Sequence, residues 1–305
     1  MDLAGALLNS AVTMAVPLLL AALGELVVER AGIINVGLEG MILTGAFAAM
    51  VTVSFSGSPL VGVVAAVVSG AALGALFGFA VVRHNASQVV AGVALNLLAV
   101  GITGVAYRAV FGVTGAALTI DGMAPVVVPG LSQLPVIGRA LFAQTALGYL
   151  AFALVPACAL VLSGSVPGLV LRMVGENPHA AAAQGVSVTR VRMLAVLACG
   201  ALAGLSGGYL AVVYARTFIE GMSAGRGFIA LAIVIFGRWS PWGILAAALL
   251  FGLATALQFH FQALALPIPY QFFLMLPYVA TLLALAISAG HTRAPAALGQ
   301  PYLHE

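Results

Sequence analysis

The sequence predicts an all-α protein, a polytopic membrane helical bundle with about nine to ten transmembrane segments, some of them broken helices. Hydrophobic residues make up 63% of the chain and charged residues only 6%, whereas a soluble domain carries roughly a quarter charged residues. So few charges cannot cover a water-facing surface. The apolar runs are about 20 residues long, which suits helices that cross the hydrocarbon core. Backbone groups in lipid must bond within their own segment, and the short alternating strands of a barrel are absent.

Seven regular apolar runs account for most of the predicted crossings. They are residues 3–24, 59–82, 87–107, 141–162, 193–213, 242–259 and 270–289. Residues 31–53 are also long enough to cross, but they contain Asn35, Glu39 and four glycines. Residues 227–237 make only half a span. Counting both gives nine crossings, and residues 25–54 can hide a tenth as two half-helices. Segments of this short or glycine-interrupted kind often line a translocation path.

Arginine placement predicts the orientation of the bundle. Placing the polar stretch 172–192 in the cytoplasm puts seven arginines inside and four outside, in line with the positive-inside rule. The inside set is Arg30, Arg83, Arg172, Arg190, Arg192, Arg238 and Arg293. The net charge of +3 therefore marks topology, and we expect no nucleic-acid partner. The side of the amino terminus stays open.

The crossings form one predicted transmembrane domain, residues 1–290. Its longest external connection is residues 108–140, either a plain solvent loop or a surface for a soluble partner or an outer gate. The remaining residues, 291–305, form a cytoplasmic tail on this topology. We expect the tail to be disordered, because it is short and terminal.

Two glycine ladders predict dense helix packing. One contains Gly70, Gly74 and Gly78, and the other contains Gly200, Gly204 and Gly208. A spacing of four places each set on one helix face, where a neighbouring backbone can approach closely. The ladders therefore indicate a tight bundle rather than a ligand site.

The stretch 172–192 has the pattern of a short docking helix. Asn177 and Pro178 make a good helix start, since Asn can cap and Pro suits the first turn. The alanines 180–183 have the highest helix propensity, and Gly185 can end the helix. A short surface helix with small side chains suits insertion into a groove on another protein.

Four residues are candidates for the substrate pathway: Asn35, Glu39, Asn96 and Phe228. A carboxylate at membrane depth is costly unless it faces a cavity or a partner. Asn35 lies four residues before Glu39, so on a helix the two share a face. Either they line the path, or they form a structural network that holds a broken helix. Asn96 is an isolated mid-span amide, typical of bonding between helices.

An enzymatic function has weak support. The sequence Gly-Leu-Ser-Gly at 204–207 resembles the box of rhomboid intramembrane serine proteases, with Ser206 as nucleophile and His260 as a base. Gly and Ser are common in membrane helices, however, and the glycine ladder already explains a small residue at 206. No phosphate-binding loop and no metal-ligand spacing occur. We therefore expect no enzyme activity and no cofactor in this chain.

Three motifs together resemble one family. They are Glu-Arg-Ala-Gly-Ile-Ile-Asn-Val-Gly-Leu-Glu-Gly at 29–40, Val-Gly-Glu-Asn-Pro at 174–178, and Gly-Arg-Gly-Phe at 225–228 with Trp-Ser-Pro at 239–241. In this order they resemble ABC importer permeases of the branched-chain amino acid, ribose and nucleoside superfamily. The motif at residues 29–40 is most similar to that of the shorter of two paired permeases in nucleoside or simple-sugar systems. Asn35 stands where the ribose branch has an Asp-containing motif, which disfavours ribose.

The resemblance implies a type II-like permease in the inner (plasma) membrane, with three kinds of partner. These are a second homologous permease, ATPase subunits that bind the ATP, and an external substrate-binding lipoprotein. Residues 172–192, the coupling segment, would rest in a groove on the ATPase. The matching residues are Gly175, Glu176, Asn177, Pro178, Ala182 and Gly185. The alternatives are another cargo (a simple sugar, a riboflavin-like compound or a branched-chain amino acid) and a stand-alone secondary transporter or channel.

Overall fold

The structure, a computed structural model, describes residues 3–112, 119–263, 271–272, 275, 279 and 294–302. Its helices are Leu3–Arg30 (α1), Leu38–Ser56 (α2), Pro59–Gly78 (α3), Gln88–Phe111 (α4), Ile137–Phe142 (α5), Ala146–Gly164 (α6), Val166–Glu176 (α7), Pro178–Ala183 (α8), Val188–Tyr209 (α9), Arg226–Phe236 (α10) and Pro241–Ala263 (α11). Seven of these are long and apolar enough to cross a membrane, and α10 is the short apolar one. The all-α membrane bundle is confirmed. The predicted span 270–289 lies almost wholly outside the described residues.

Helix α1 forms the centre of the bundle. Its middle residues, including Leu19, Leu20 and Leu23, are almost completely buried, and it packs against α9, α10 and α11. Pro17 lies inside α1, and its carbonyl accepts a hydrogen bond from the Ser206 hydroxyl of α9 at 2.7 Å. A helix that is apolar all round belongs in the interior of such a bundle.

The two glycine ladders pack against each other, which confirms the predicted dense packing. A Cβ at Gly204 would overlap the carbonyl oxygen of Ala66, and a Cβ at Gly70 would overlap that of Gly200. A Cβ at Gly74 would lie 2.9 Å from the Val196 carbonyl oxygen. Because glycines occupy these contact positions, the backbones of α3 and α9 approach each other directly.

The region 25–54 contains one helix end, one turn and one helix, so it does not hide a tenth crossing. Helix α1 continues to Arg30, residues 31–37 form a non-helical turn, and α2 begins at Leu38. Gly32 adopts φ +87° in this turn, a conformation that glycine adopts without steric cost. We call residues 31–37 the elbow.

The structure also relates the start of α1 to the coupling segment, a point that the sequence left open. Gly5 lies 3.4 Å, measured from an added Cβ, from the carbonyl of Val136 in the 119–145 connection. At the other end of α1, the carbonyl of Arg30 lies against Gly175 of the coupling segment. The amino end of α1 is therefore at the opposite end of the bundle from the coupling segment.

The expectation of a disordered tail is wrong for residues 294–302. Ala297 is buried, and its N–H donates to the carbonyl of Gly175 at 2.9 Å. The segment is held by backbone hydrogen bonds and by small residues rather than by an apolar stripe. Such contacts leave no periodicity in the sequence, which is why composition and position suggested disorder.

Candidate functional site

Asn35 lies in the elbow and is directed into the core. Its backbone N–H donates to the Glu25 carboxylate at 2.9 Å, and its amide nitrogen is 3.3 Å from the Cys199 sulfur. Its side-chain oxygen accepts from the Gly37 N–H at 3.1 Å. The expected helix face shared with Glu39 is wrong, because the elbow interrupts the helix between the two residues. Asn35 instead shapes the turn.

Glu39 caps the broken helix α10. One carboxylate oxygen accepts from the Gly225 N–H and the other from the Gly227 N–H, each at 2.7 Å. The first N–H groups of a helix have no partner within the helix, and that end carries a partial positive charge. Gly227 has no side chain, and a Cβ there would lie 2.7 Å from the Glu39 Cα. Two charge-assisted hydrogen bonds thus offset the cost of half-burying the Glu39 carboxylate.

Asn96 accepts a hydrogen bond from the first turn of α2, as Glu39 does from the start of α10. Its amide oxygen accepts from the Gly40 N–H at 2.8 Å, and its amide nitrogen donates to the Val36 carbonyl at 3.0 Å. Gln88, also on α4, accepts from the Ile34 N–H at 2.8 Å. Side chains of α4 therefore satisfy the backbone of the elbow and of the first turn of α2, where the helix itself cannot.

Two of the four predicted pathway residues, Glu39 and Asn96, meet at the first turn of α2. Asn96 approaches it from α4, and Glu39 lies on it and binds the start of α10. Phe228 follows Gly227 directly, and its side chain is 51% exposed. Asn35 does not join this group. Helix α4 also has a row of exposed apolar side chains: Val89, Val90, Val93, Leu97, Val100 and Val105. Glu39 and Asn96 are half-buried, and Phe228 is exposed.

The coupling segment folds as its residues predict. The Asn177 side chain accepts from the Ala180 N–H at 3.0 Å, and Pro178 is the first residue of α8. The helix ends at Ala183, and Gly185 adopts φ +82° before α9 begins. The Asn177 cap, the helix-forming alanines and the terminal Gly185 thus together define one short helix.

The coupling segment has one buried face and one exposed face. Val174, Ala181 and Val188 form a small buried cluster that holds α8 against α7 and α9. Among the predicted coupling residues, Gly175 and Pro178 are buried and Ala182 is half-buried, whereas Glu176, Asn177 and Gly185 are exposed. A Cβ at Gly175 would overlap the Arg30 carbonyl. The exposed residues of α8 itself are His179, Ala180 and Ala183, so two of the three carry small side chains.

Two buried acids of α1 were not among the predicted site residues. Glu25 is fully buried and accepts from Asn35, as described above. Glu29 accepts a short hydrogen bond from the Trp239 indole N–H, and Arg30 donates to the Trp239 carbonyl at 2.7 Å. These contacts join the inner end of α1 to the elbow and to the α10–α11 connection. The sequence feature that marks them is a pair of carboxylates, four residues apart, at the end of an apolar run.

The protease hypothesis is wrong. Ser206 is fully buried, and its hydroxyl donates to Pro17 of α1 rather than to a histidine. His260 lies on α11, beside Ala6 and Ser10 of α1. Within the described part of the chain, no three His, Cys, Asp or Glu side chains group to hold a metal ion. Ser206 is a packing residue.

Seven apolar helices that are long enough to cross a membrane, together with helices interrupted by non-helical turns, define a polytopic membrane protein of the permease type. The chain belongs to the ABC-transporter permease family described as "branched-chain amino acid transport system / permease component", whose model matches residues 7–285. It is therefore a multi-pass protein of the inner membrane.

Curated relatives cover most of the chain. A putative glucose ABC transporter permease of Haloferax volcanii is 40% identical, over 87% of this chain and 80% of that protein. The guanosine ABC transporter permease NupQ of Bacillus subtilis is 37% identical over 95% and 93%. The nucleoside ABC transporter permease NupC of Lactococcus lactis is 38% identical over 94% and 93%. Each of these organisms has a second, less similar permease, at 28–30% identity. No solved structure matches the chain.

Proposed function

We propose that the chain is one of two membrane subunits of an ATP-driven importer whose cargo is a nucleoside. The observation that carries the coupling part of this proposal is α8, a capped six-residue helix with small side chains on its exposed side. A channel or a stand-alone carrier has no use for such a helix. A permease that takes its energy from a separate ATPase needs one.

The nucleoside cargo is supported by the relatives with the fullest overlap. The guanosine and nucleoside permeases align over 93% of their own length, and the glucose permease over 80%. The glucose permease keeps a simple sugar as the second candidate. A nucleoside contains a sugar, so the two cargoes share a polyhydroxylated ring that a pathway of few polar groups can accept. The external lipoprotein then selects between them.

The second subunit covers the surface that carries the half-buried Glu39 and Asn96 and the exposed Phe228, which we call the wall. Polar side chains at membrane depth face a cavity or a partner rather than lipid. The apolar row on α4 borders this wall and gives the partner a surface to pack on. Paired permeases in the three organisms named above support two different subunits rather than two copies of one. Each subunit then contributes one half of the pathway.

The ATPase moves the pathway through the coupling segment. Its closing motion is applied to α8 and passes through α7 and the start of α9. Gly175 lies against Arg30 at the end of α1, so the motion reaches the elbow there. The elbow is bonded to Asn96 of α4, and the next turn carries Glu39, which holds α10. A shift at the elbow therefore changes the wall.

Uptake by the reconstituted importer tests the cargo. The chain is co-expressed with the permease, ATPase and lipoprotein encoded beside it, and the complex is placed in proteoliposomes. We expect ATP-dependent accumulation of labelled guanosine or adenosine, with much less glucose and leucine. Glucose accumulation alone would establish the second candidate. Accumulation without ATP would indicate a secondary transporter.

Replacing residues 176–178 with Gly-Ser-Gly tests the coupling role. We expect the lipoprotein to bind the complex normally while ATP-driven uptake is lost. The matched control makes the same replacement at residues 84–86, three exposed residues in the α3–α4 turn, where uptake should persist. Normal uptake in the 176–178 variant would refute the coupling role of this segment.

A further inference from the structure

Residues 294–302 lie across two parts of the molecule that are far apart in sequence. The Ala297 N–H donates to the Gly175 carbonyl at 2.9 Å, on the coupling segment. Two residues later, the Gly299 N–H donates to the Gly32 carbonyl at 3.0 Å, on the elbow. One short piece of chain is therefore bonded to both parts. We call residues 294–302 the strap.

Arg192 clamps the strap from the start of α9. The side chain is only 3% exposed. Its Nε donates to the Ala31 carbonyl of the elbow at 3.1 Å, and its Nη1 donates to the Gln300 carbonyl of the strap at 3.2 Å. A single guanidinium thus joins α9, the elbow and the strap, an arrangement for which its planar set of donors is suited.

Two further contacts attach the strap to exposed residues of the coupling segment. The Ala296 N–H donates to the Glu176 carboxylate at 3.2 Å. The Tyr302 ring lies 5.2 Å from the His179 ring of α8, measured between centroids. The strap therefore touches both the end of α7 and the helix that the ATPase is proposed to hold.

The joints of the coupling segment explain why it needs such support. Asn177 is extended between α7 and α8, and residues 184–187 are non-helical before α9. A push on α8 can be absorbed by bending at either joint. The strap bridges the joint between α7 and α8, because it bonds to Gly175 and Glu176 before the joint and contacts His179 after it. The strap also bonds to Gly32, so it links the coupling segment to the elbow.

We propose that the strap fixes the coupling segment to the elbow, so that motion of α8 moves the elbow instead of bending the segment. Ala297 and Arg192 are then positioning residues for transport. The inference rests on the proposed coupling role of residues 172–192. It extends the coupling machinery from one segment of the chain to two, the second being residues 294–302.

Ala297→Gln tests the strap in the complete reconstituted importer. Ala297 is 4% exposed, so a longer polar side chain must displace the strap. The matched control is Ala86→Gln, the same change at an exposed position in the α3–α4 turn. The quantity measured is cargo accumulated per ATP hydrolysed, together with co-purification of the ATPase.

We expect Ala297→Gln to keep the ATPase bound but to lower uptake per ATP about fivefold or more, with Ala86→Gln at the wild-type ratio. A purely structural strap would reduce the amount of complex and leave that ratio unchanged, which would overturn the proposal. If Ala297→Gln yields no complex, Arg192→Lys is measured instead. It removes the planar clamp and keeps the charge, and a wild-type ratio there would overturn the proposal.

The 176–178 replacement separates the two levels of inference. Loss of coupling in that variant, with a normal ratio in Ala297→Gln, refutes the strap and leaves the proposed function standing. Normal coupling in the 176–178 variant refutes the coupling segment itself, and the strap proposal fails with it.

Discussion

The α3–α9 crossing and the first turn of α2 bring backbones together in opposite ways. At the crossing, glycines remove the side chains, and two continuous helices touch along their length. At the first turn of α2, the helices are interrupted, and Glu39 and Asn96 supply the bonds that the interrupted backbone lacks. Direct backbone packing has one good arrangement, since any displacement creates a clash or a void. Hydrogen bonds to a side chain can be exchanged for others. We call the α3–α9 crossing the frame; on the proposed function, the first turn of α2 and the start of α10 are the moving part.

The largest effect is expected from breaking the frame. Gly204→Leu places a side chain where the Ala66 carbonyl already lies, so α3 and α9 must separate. Overpacking costs about 1–3 kcal/mol or more, and here it acts on backbone that cannot yield. We expect little folded protein after solubilisation in mild detergent.

The control for Gly204 is Gly101→Leu on α4. An added Cβ at Gly101 meets nothing within 4 Å. A normal yield of this variant would show that a leucine at a membrane glycine is tolerated where no helix crosses. Equal yields of the two variants would contradict the claim that backbone contact fixes the α3–α9 crossing.

Breaking the polar part should affect transport more than folding. Glu39→Ala leaves the N–H groups of Gly225 and Gly227 without their acceptor, at a cost of about 1–3 kcal/mol for each buried group. We expect the protein to stay in the membrane while ATP-driven uptake falls about tenfold or more. Glu220→Ala is the control, because Glu220 forms an exposed ion pair with Arg108 at 3.1 Å, and such pairs contribute little. Wild-type uptake kinetics in Glu39→Ala would make Glu39 a packing residue only.

The smallest effect is expected from Ser206→Ala, a conservative change within the frame. The variant loses one hydrogen bond to the Pro17 carbonyl, worth about 0.5–1.5 kcal/mol, and α9 continues to pack on α1. The thermal unfolding midpoint should fall slightly and uptake should be unchanged. Loss of all uptake would show that Ser206 takes part in function beyond packing.

The same contrast explains what the sequence could predict. The frame follows from local patterns: apolar runs give the spans, and a spacing of four gives the glycine ladders. The coupling segment is local too, because Asn177, the alanines and Gly185 are consecutive. The moving part depends on contacts between distant segments, such as Glu39 with Gly225. No periodicity records those contacts, so the sequence could mark Asn35, Glu39 and Asn96 as polar without giving their partners. The contacts of the strap could not be predicted from the sequence for the same reason.

Hydrogen exchange of the complete importer tests the division between the fixed frame and the moving part most directly. It is measured without nucleotide and after hydrolysis of ATP in the presence of vanadate, which leaves ADP and vanadate in the ATPase. The informative amides are those of Gly40, Gly225 and Gly227, which are bonded to side chains, and those of Gly200 and Gly204 at the crossing. We predict that ATP changes the exchange rate of the first group about tenfold or more and leaves the second group unchanged. An equal change in both groups, or a change at the crossing alone, would contradict a fixed frame beside a moving wall.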